Sequence, residues 1–425
     1  MAAPQSGSGK TLVTLGLARA FVGRGLTVAP AKTGPDYIDP AFLSRAARNP
    51  CVNLDAWAMS ASRLHGLAGA HAAAADLLLV EGVMGLFDGS VAGTGSSADL
   101  AEALGLPVLL VVDCRRMGQT VAAIAEGLAR HRAGVEVVGV VLNNVASDRH
   151  EAMLRVALQN AGIACLGALR RNAALAVPDR HLGLVLPGEV EQVDALIDRA
   201  ADAVAAALDL DAVLVLAASL APGRPAEALP PLGQHTAIAR DAAFAFVYEH
   251  WLTGWRNAGA TLSFFSPLAD EPPDARADAV FLPGGYPELH ADALAAARDF
   301  ADGLTAARER GALIYGECGG YMVLGRSLTA GDGSRHAMTG LLPVETRFDI
   351  PGRTLGYRRL THRGPLPWPE GLTGHEFHYA SESAGDGATL FVAADAAGRQ
   401  LPPIGAVQGR VCGSWAHVID RADGA

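Results

Sequence analysis

One strand-to-turn pattern constrains this chain more than any other. In residues 314–325 an apolar run stops at Cys318 and continues through glycines into a helix-compatible segment. This layout is typical of a nucleophile elbow, in which a sharp turn presents the nucleophile at the carboxyl end of a strand. Glycines permit the strained turn and the close approach of a substrate. The pattern therefore predicts a reactive Cys318 rather than an inert buried thiol, with the amide of Gly319 directed at a developing oxyanion.

A cysteine nucleophile needs a base, and His417 is the candidate. It follows a short apolar strand expected over residues 405–412. A lone histidine is more often structural than catalytic, but a Cys and a His that lie far apart in sequence and at neighbouring strand ends form the usual thiol–imidazole pair. Adjacent glycines after another expected strand, residues 279–282, offer the amide of Gly285 as a second oxyanion donor.

A second site is indicated near the N-terminus, where residues 4–11 match the end of the pattern G-x-x-x-x-G-K-[ST], with proline in place of the first glycine. In such a loop, backbone amides such as those of Gly7 and Gly9 cradle phosphates. Lys10 would reach the β- and γ-phosphates of ATP, and Thr11 would bind Mg²⁺. A helix follows directly, which places its N-terminus at the nucleotide.

Lysine usage points to a further loop. Of 34 basic residues only Lys10 and Lys32 are lysines, and the arginine excess fits a GC-rich genome. Lysine is a compact charge suited to phosphate, and arginine is not equivalent to it there. Lys32 begins residues 32–40, which follow an expected strand and contain two acids and an aromatic side chain. The alternative is a Gly-Pro turn with solvated acids.

Four further polar side chains are candidates for the nucleotide and substrate site. Asp55 comes shortly after the Lys32 loop and is a candidate magnesium ligand. Glu81 ends a buried strand, as a Walker-B acid should, and a glycine-rich loop with Asp88 follows it. Asn143, at the end of a later strand, could bind the adenine edge.

The fold class is predicted from the repeated alternation of strands and helices, which indicates doubly wound parallel sheets. We expect a P-loop ATPase domain over residues 1–216, a linker rich in Ala, Pro and Gly over 217–235, and an amidotransferase domain over 236–425. A helix is expected over 243–258. Only residues 1–3 precede the phosphate loop, so we expect either a severely shortened first strand or a native start further upstream.

Composition excludes other classes of function. The net charge of −10, without a basic stripe, argues against a nucleic-acid partner. No apolar run is long enough to span a bilayer, and the N-terminus lacks a secretory pattern. Five scattered cysteines fit a reducing compartment, so we expect a cytoplasmic protein without a membrane partner.

Taken together, the motifs resemble the cobyrinic/hydrogenobyrinic acid a,c-diamide synthase family over essentially the whole chain. The resemblance is carried by residues 6–11, 32–40, 81–89, 180–184, 283–288, 317–320 and 375–379. It implies a dethiobiotin-synthetase-like ATPase domain followed by a class I glutamine amidotransferase domain of the cobyric-acid-synthase type. This family amidates the a and c acetate side chains of a corrin ring, a tetrapyrrole polycarboxylate, using ATP, Mg²⁺ and L-glutamine. A homodimer is a possible assembly for this protein.

The resemblance also implies roles for the polar loops. The substrate carboxylate is phosphorylated by ATP, with Lys10 and Lys32 offsetting phosphoryl charge, while Cys318 releases ammonia that crosses between domains. Substrate placement, magnesium binding or handling of the intermediate falls to Asp36, Tyr37, Asp39, Glu81 and Asp88. Most amidotransferases of this class carry an acid two residues after the histidine. Here that residue is Ile419, so we expect a catalytic dyad or an acid from elsewhere.

Three alternatives remain open from the sequence. Cobyric acid synthase shares both domains but carries a different motif at residues 32–40. A nickel-sirohydrochlorin a,c-diamide synthase shares that loop and differs in its substrate. A regulatory P-loop ATPase with a decayed amidotransferase domain would not need the cysteine elbow. Within the leading hypothesis, an arginine-rich chain favours the metal-free hydrogenobyrinic acid of the aerobic route.

Overall fold

The computed structural model describes residues 1–175, 179–180, 183–221, 223, 227–349, 352–384 and 387–422. It divides into two compact units, Met1–Ala226 and Glu227–Ala425. The division falls inside the predicted linker, of which residues 222 and 224–226 lie outside the described residues. In the motif at residues 180–184, residues 181 and 182 also lie outside them.

The N-terminal unit alternates strands and helices, as predicted. Its strands are β1 Val28–Thr33, β2 Val52–Leu54, β3 Leu77–Glu81, β4 Val108–Asp113, β5 Val137–Val145, β6 Cys165–Arg170, β7 Asp179–Arg180 and β8 Gly183–Leu184. Its helices are α1 Lys10–Gly23, α2 Ile38–Ala47, α3 Ala61–Ala72, α4 Ser97–Leu104, α5 Thr120–His131, α6 Asp148–Asn160, α7 Val193–Ala207 and α8 Leu210–Val215.

Two parallel three-stranded sheets form the centre of this unit, in the orders β2-β1-β3 and β4-β5-β6. Residues 1–3 lie between them: the Met1 carbonyl accepts a hydrogen bond from Gly82, and Ala2 pairs with Leu110. The chain thus enters the phosphate loop from a very short extended segment. The apolar core includes side chains from β4–β6 and α4–α6, whose burial stabilises this half of the unit.

The C-terminal unit contains three sheets. Its strands are β9 His235–Ala239, β10 Thr261–Phe265, β11 Ala279–Leu282, β12 Leu313–Glu317, β13 Ser327–Thr329, β14 Arg335–Ala337, β15 Val344–Arg347, β16 Thr354–Thr361, β17 Gly371–His378, β18 Ser381–Ala384, β19 Val392–Asp395, β20 Ala406–Gln408, β21 Val411–Ser414 and β22 His417–Arg421. Its helices are α9 Glu249–Asn257, α10 Ala291–Ala296, α11 Arg298–Glu309 and α12 Gly319–Leu324.

The central sheet of this unit has the order β10-β9-β11-β12-β21-β20 and is parallel except for β20. The other two sheets have the orders β14-β13-β15-β18 and β19-β16-β17-β22. Because β11, β12 and β21 are neighbours, the residues that follow their carboxyl ends meet at one edge. Those residues include Gly285, Cys318 and His417.

One predicted helix begins later than expected. The helix expected from residue 243 starts at Glu249. The carboxylate of Asp241 accepts a hydrogen bond from the Ala243 amide and forms a turn, and the Phe246 amide donates to the Gly284 carbonyl. These contacts hold the intervening backbone in a non-helical path beside β11. Among the described residues, no helix combines the length and apolar character needed to cross a membrane.

Candidate active sites

The first site is built on the predicted elbow. Cys318 lies between the end of β12 and the start of α12, with φ 47° and ψ −105°. A positive φ is strained for a residue with a side chain, and such strain is concentrated at functional sites. The Cys318 amide donates to the Ser414 carbonyl at 2.8 Å, and a side chain on Gly320 would overlap the Leu282 carbonyl. The turn is therefore fixed by close backbone packing that only glycine allows.

His417 lies beside Cys318, the predicted nucleophile. A Cβ atom added to Gly284 would lie 2.3 Å from His417 Cε1, 3.2 Å from His417 Nε2 and 3.3 Å from Cys318 Cβ. The imidazole and the cysteine thus border the same small space above Gly284. The structure brings together the two residues that the sequence paired, although their catalytic roles stay a prediction.

The predicted oxyanion donors are also neighbours. A Cβ atom on Gly319 would lie 3.1 Å from the Gly285 amide nitrogen and 2.8 Å from Pro287 Cδ. A side chain on Gly285 would overlap the Ala243 carbonyl. Both positions therefore require glycine, and the Gly285 amide nitrogen lies beside Gly319, as a shared oxyanion site would need.

The sequence analysis did not identify Glu317, the residue before the nucleophile. Its carboxylate is buried, and Oε1 accepts hydrogen bonds from the Tyr315 hydroxyl at 2.8 Å and the Val418 amide at 3.0 Å. Oε2 lies 3.7 Å from His417 Nδ1. Ile419, at the position where most amidotransferases of this class carry an acid, supplies a backbone carbonyl to buried side chains. The available signal was a charged residue at the end of a buried strand.

Burial sets the protonation of this site. It raises the pKa of Glu317 to about 8 and raises the pKa of the Cys318 thiol well above its usual value. Burial, followed by the nearby His375 and His378, lowers the pKa of His417 to about 3. In the resting protein the thiol and imidazole are therefore both neutral, so that His417 can accept a proton from Cys318.

The polar-aromatic cluster at residues 375–379 lies beside His417, the predicted base. His375 on β17 pairs in register with His417 on β22. His378 stacks on Trp415 with ring centroids 4.1 Å apart, and Glu376 forms a buried ion pair with Arg358. The first of these contacts joins β17 to His417 itself, and the second holds the segment just before β22.

The second site is the phosphate loop of the N-terminal unit. Gly7 and Gly9 adopt positive φ angles of 75° and 89°, and α1 begins directly at Lys10. Lys10 Nζ donates to the Met84 carbonyl at 2.8 Å. The lysine side chain therefore lies over the glycine-rich loop that follows β3.

Asn143 supports this loop. Its side-chain nitrogen donates to the Ser8 carbonyl at 3.0 Å and lies against Gly9, where a side chain would overlap it. The structure thus gives Asn143 a contact with the phosphate loop that the sequence analysis did not anticipate, because β5 ends beside the loop. Its contact with adenine stays a prediction.

Lys32 lies at the centre of a buried acidic cluster. On β1 it pairs in register with Glu81 on β3, and Nζ lies 3.0 Å from Glu81 Oε1. Nζ also forms an ion pair with Asp39 and lies 3.8 Å from Asp36 Oδ2. Asn53 on β2 donates to the carbonyls of Gly34 and Asp36, which holds the loop at the end of β1. The loop is thus a folded polar cluster rather than a solvated turn.

The charges of this cluster depend on one another. Burial opposes the charge of Lys32, but Glu81 and Asp39 outweigh it and hold the lysine pKa above its usual value. Burial, then the charge of Asp39, raises the pKa of Asp36 to about 7. Asp36 can therefore exchange a proton near neutral pH.

Oxygen ligands suited to Mg²⁺ meet at the end of β3. The Thr11 hydroxyl donates to Glu81 Oε1 at 2.6 Å, and Glu81 Oε2 is buried without a hydrogen-bond partner among the described residues. A hydroxyl and a carboxylate of this kind fit a magnesium ion. Asp55 is buried and its Oδ1 accepts from the Trp57 and Ala58 amides, so its role as a ligand stays a prediction.

The remaining predicted substrate residues lie on the two loops. Tyr37 directly precedes α2 and is partly buried. Asp88 is exposed, and its Oδ2 accepts from the Gly85 amide at 2.8 Å. Asp88 thereby closes the glycine-rich loop on itself, and the substrate roles of both residues stay predictions.

Comparisons with known protein families show which class of protein this chain belongs to. The CobB/CobQ-like glutamine amidotransferase domain matches residues 235–424, and the CobQ/CobB/MinD/ParA nucleotide binding domain matches residues 1–185. With a cysteine elbow in one unit and a phosphate loop in the other, the protein is a glutamine amidotransferase joined to a nucleotide-binding domain.

Relatives that match over their full length identify the family within this class. A protein named hydrogenobyrinate a,c-diamide synthase from Rhizobium meliloti is 56% identical, covering 100% of this chain and 99% of the relative. Proteins of the same name from Brucella abortus and Rhodobacter capsulatus are each 51% identical, covering 99% of this chain and 98% of the relative. The chain belongs to the hydrogenobyrinate a,c-diamide synthase family.

Proposed function

We propose that this protein amidates the a and c acetate carboxylates of hydrogenobyrinic acid, using ATP and glutamine, in cobalamin biosynthesis in the cytoplasm. The observation that carries the proposal is the 56% identity to a relative of that name across both chains, which includes both candidate sites. Every residue in the proposed chemistry is present in one of the two sites.

In the amidotransferase unit, Cys318 attacks the side-chain carbonyl of glutamine. His417 takes the thiol proton and returns it to the leaving ammonia, and a thioester remains that water hydrolyses to glutamate. The amides of Gly285 and Gly319 stabilise the oxyanion of each tetrahedral intermediate. The closeness of these four groups supports this assignment.

In the N-terminal unit, the substrate carboxylate must first be activated, because a carboxylate is a poor electrophile. Its oxygen attacks the γ-phosphorus of ATP and gives an acyl phosphate and ADP. Ammonia then attacks the acyl carbon, a proton is lost, and phosphate leaves as the amide forms. Lys10 and Lys32 offset the charge of the transferred phosphoryl group.

Thr11 and Glu81 would hold Mg²⁺, which neutralises phosphate charge when it is bound. Asp36 and Asp88 lie on the loops that follow β1 and β3, and Asp39 lies in the first turn of α2. Substrate bound at the carboxyl ends of a parallel sheet would contact these positions. Tyr37 adds an aromatic surface suited to a flat ring.

The identity of the ring substrate is inferred from the names of the full-length relatives. Three full-length relatives from three genera carry the name hydrogenobyrinate a,c-diamide synthase, which favours the metal-free ring over cobyrinic acid or nickel-sirohydrochlorin. The test is mass spectrometry after incubation with ATP, Mg²⁺ and glutamine, with the three rings supplied in parallel. We expect two amides on hydrogenobyrinic acid. Amidation of a different ring alone, or of other side chains, would replace the proposal with one of its alternatives.

A further inference from the structure

The buried carboxylate of Glu317 is fixed from two directions. Oε1 accepts from the Tyr315 hydroxyl and from the Val418 amide. Tyr315 is itself fully buried and stacks on Phe281 with ring centroids 5.7 Å apart, so the phenol donor is held in place. Both donors bind the same oxygen, which turns the other oxygen, Oε2, towards His417 Nδ1.

This carboxylate connects the nucleophile and the base. Glu317 directly precedes Cys318, and the residue whose amide it accepts, Val418, directly follows His417. The acid thus links the end of β12 to the start of β22, at the point where Cys318 and His417 meet. The imidazole edge near Gly284 carries Cε1 and Nε2, and Nδ1 is the ring nitrogen near Glu317.

We propose that Glu317 is a positioning residue for the cysteine–histidine pair, accepting a hydrogen bond from His417 Nδ1 in place of the acid that is missing at Ile419. The proposal rests on the glutaminase half of the proposed function. The observed distance of 3.7 Å is slightly longer than a hydrogen bond, and such contacts commonly shorten when substrate binds. With Nδ1 protonated, Nε2 is the nitrogen that accepts the Cys318 proton.

Charge gives a second reason for an acid at this position. When His417 takes the thiol proton it becomes an imidazolium in a buried site that it shares with His375 and His378. A buried charge without compensation is costly. When it is ionised, the adjacent Glu317 carboxylate offsets this charge, and Tyr315 and Val418 donate hydrogen bonds that stabilise the carboxylate.

The test compares Glu317→Gln with wild type, using glutamate release as the assay. The glutamine carbonyl would still accept from Tyr315 and Val418, but its NH₂ group would face His417 Nδ1 and require the proton to move to Nε2. We expect kcat to fall by about 10²–10⁴-fold with little change in KM, as for a wrong histidine tautomer in other triads. Ammonia-dependent amidation should persist.

Two readouts separate positioning from a merely structural role. Nitrogen-15 NMR of histidine-labelled protein, recorded above pH 8 where Glu317 is ionised, should show the Nδ1-protonated tautomer of His417 in wild type and the Nε2-protonated tautomer in Glu317→Gln. The His417 signals are assigned by their loss when that histidine is replaced. The wild-type rate should also rise with pH towards the Glu317 pKa of about 8, since the carboxylate accepts only when ionised, and the variant should lose this rise.

A matched control is Asp278→Asn, because Asp278 is another acid that accepts two backbone amides in this unit, at the opposite end of β11. Its glutaminase rate should remain within about twofold of wild type.

If Glu317→Gln does not fold, Tyr315→Phe removes one of the hydrogen bonds that fix the Glu317 carboxylate, and a loss of glutaminase rate of up to about tenfold is expected. Unchanged kcat and an unchanged tautomer in Glu317→Gln would overturn the proposal. If wild type released glutamate but amidated no tetrapyrrole, the substrate assignment alone would fail.

Discussion

Gly284→Ala tests the geometry of the cysteine–histidine pair directly. The new methyl carbon would lie 2.3 Å from His417 Cε1, whereas an ordinary carbon–carbon contact is about 3.5–4.0 Å. The imidazole must therefore retreat by about 1 Å or more, away from the space it shares with Cys318. A displacement of about 1 Å in a reacting group can cost about 10²-fold in rate.

The assay is glutamate release at saturating glutamine, with ammonia-dependent amidation measured in parallel. We expect kcat for glutamate release to fall about 10²-fold, because the base no longer reaches the thiol, and ammonia-dependent amidation to remain near wild type. Gly254→Ala, inside α9, is the matched control: its methyl group would lie 3.4 Å from Ala228 Cβ, at the short end of van der Waals contact, and would meet no other atom within 4 Å. That change should preserve activity and slightly stabilise the helix. A normal glutaminase rate in Gly284→Ala would refute the assignment of His417 as the base.

Three further predictions concern both sites. Lys10→Ala should abolish amidation from either nitrogen source, and persistent ammonia-dependent turnover would show that the phosphate loop is misassigned. Glu81→Gln should raise the Mg²⁺ concentration needed for half-maximal ammonia-dependent amidation, because a ligand charge is lost; an unchanged magnesium titration would contradict the site. Burial holds the Cys318 pKa well above its usual value, so thiolate forms only as pH rises. Inactivation by iodoacetamide without glutamine should accelerate steadily from about pH 7 to pH 9, and a flat profile would contradict this environment.

The fold could be predicted from the sequence because short motifs specify its two diagnostic turns. The glycines around Cys318 and the run from Gly7 to Thr11 each specify a strand-to-helix turn, and the structure has an elbow and a phosphate loop at these positions. The placement of His417 followed from strand order, since β12 and β21 are neighbours. The family assignment then rested on motifs spread over both units.

Long-range contacts could not be predicted in the same way. The role of Asn143 depends on how close β5 comes to the phosphate loop, and the late start of α9 depends on contacts with Asp241 and β11. Glu317 was overlooked because most amidotransferases of this class carry their third catalytic residue two positions C-terminal to the histidine. Its proximity to His417 arises from the pairing of strands about a hundred positions apart in sequence, which no local pattern specifies.

The central claim is that ammonia is released at one site and used at another. Cys318→Ala, assayed with glutamine and separately with ammonium salt, tests it most directly. The account predicts no amide from glutamine and two amides on hydrogenobyrinic acid from ammonia. Cys412→Ala, which removes a buried cysteine on β21, should retain both activities. Loss of both activities in a folded Cys318→Ala protein, or full glutamine-dependent activity in it, would contradict the two-site account.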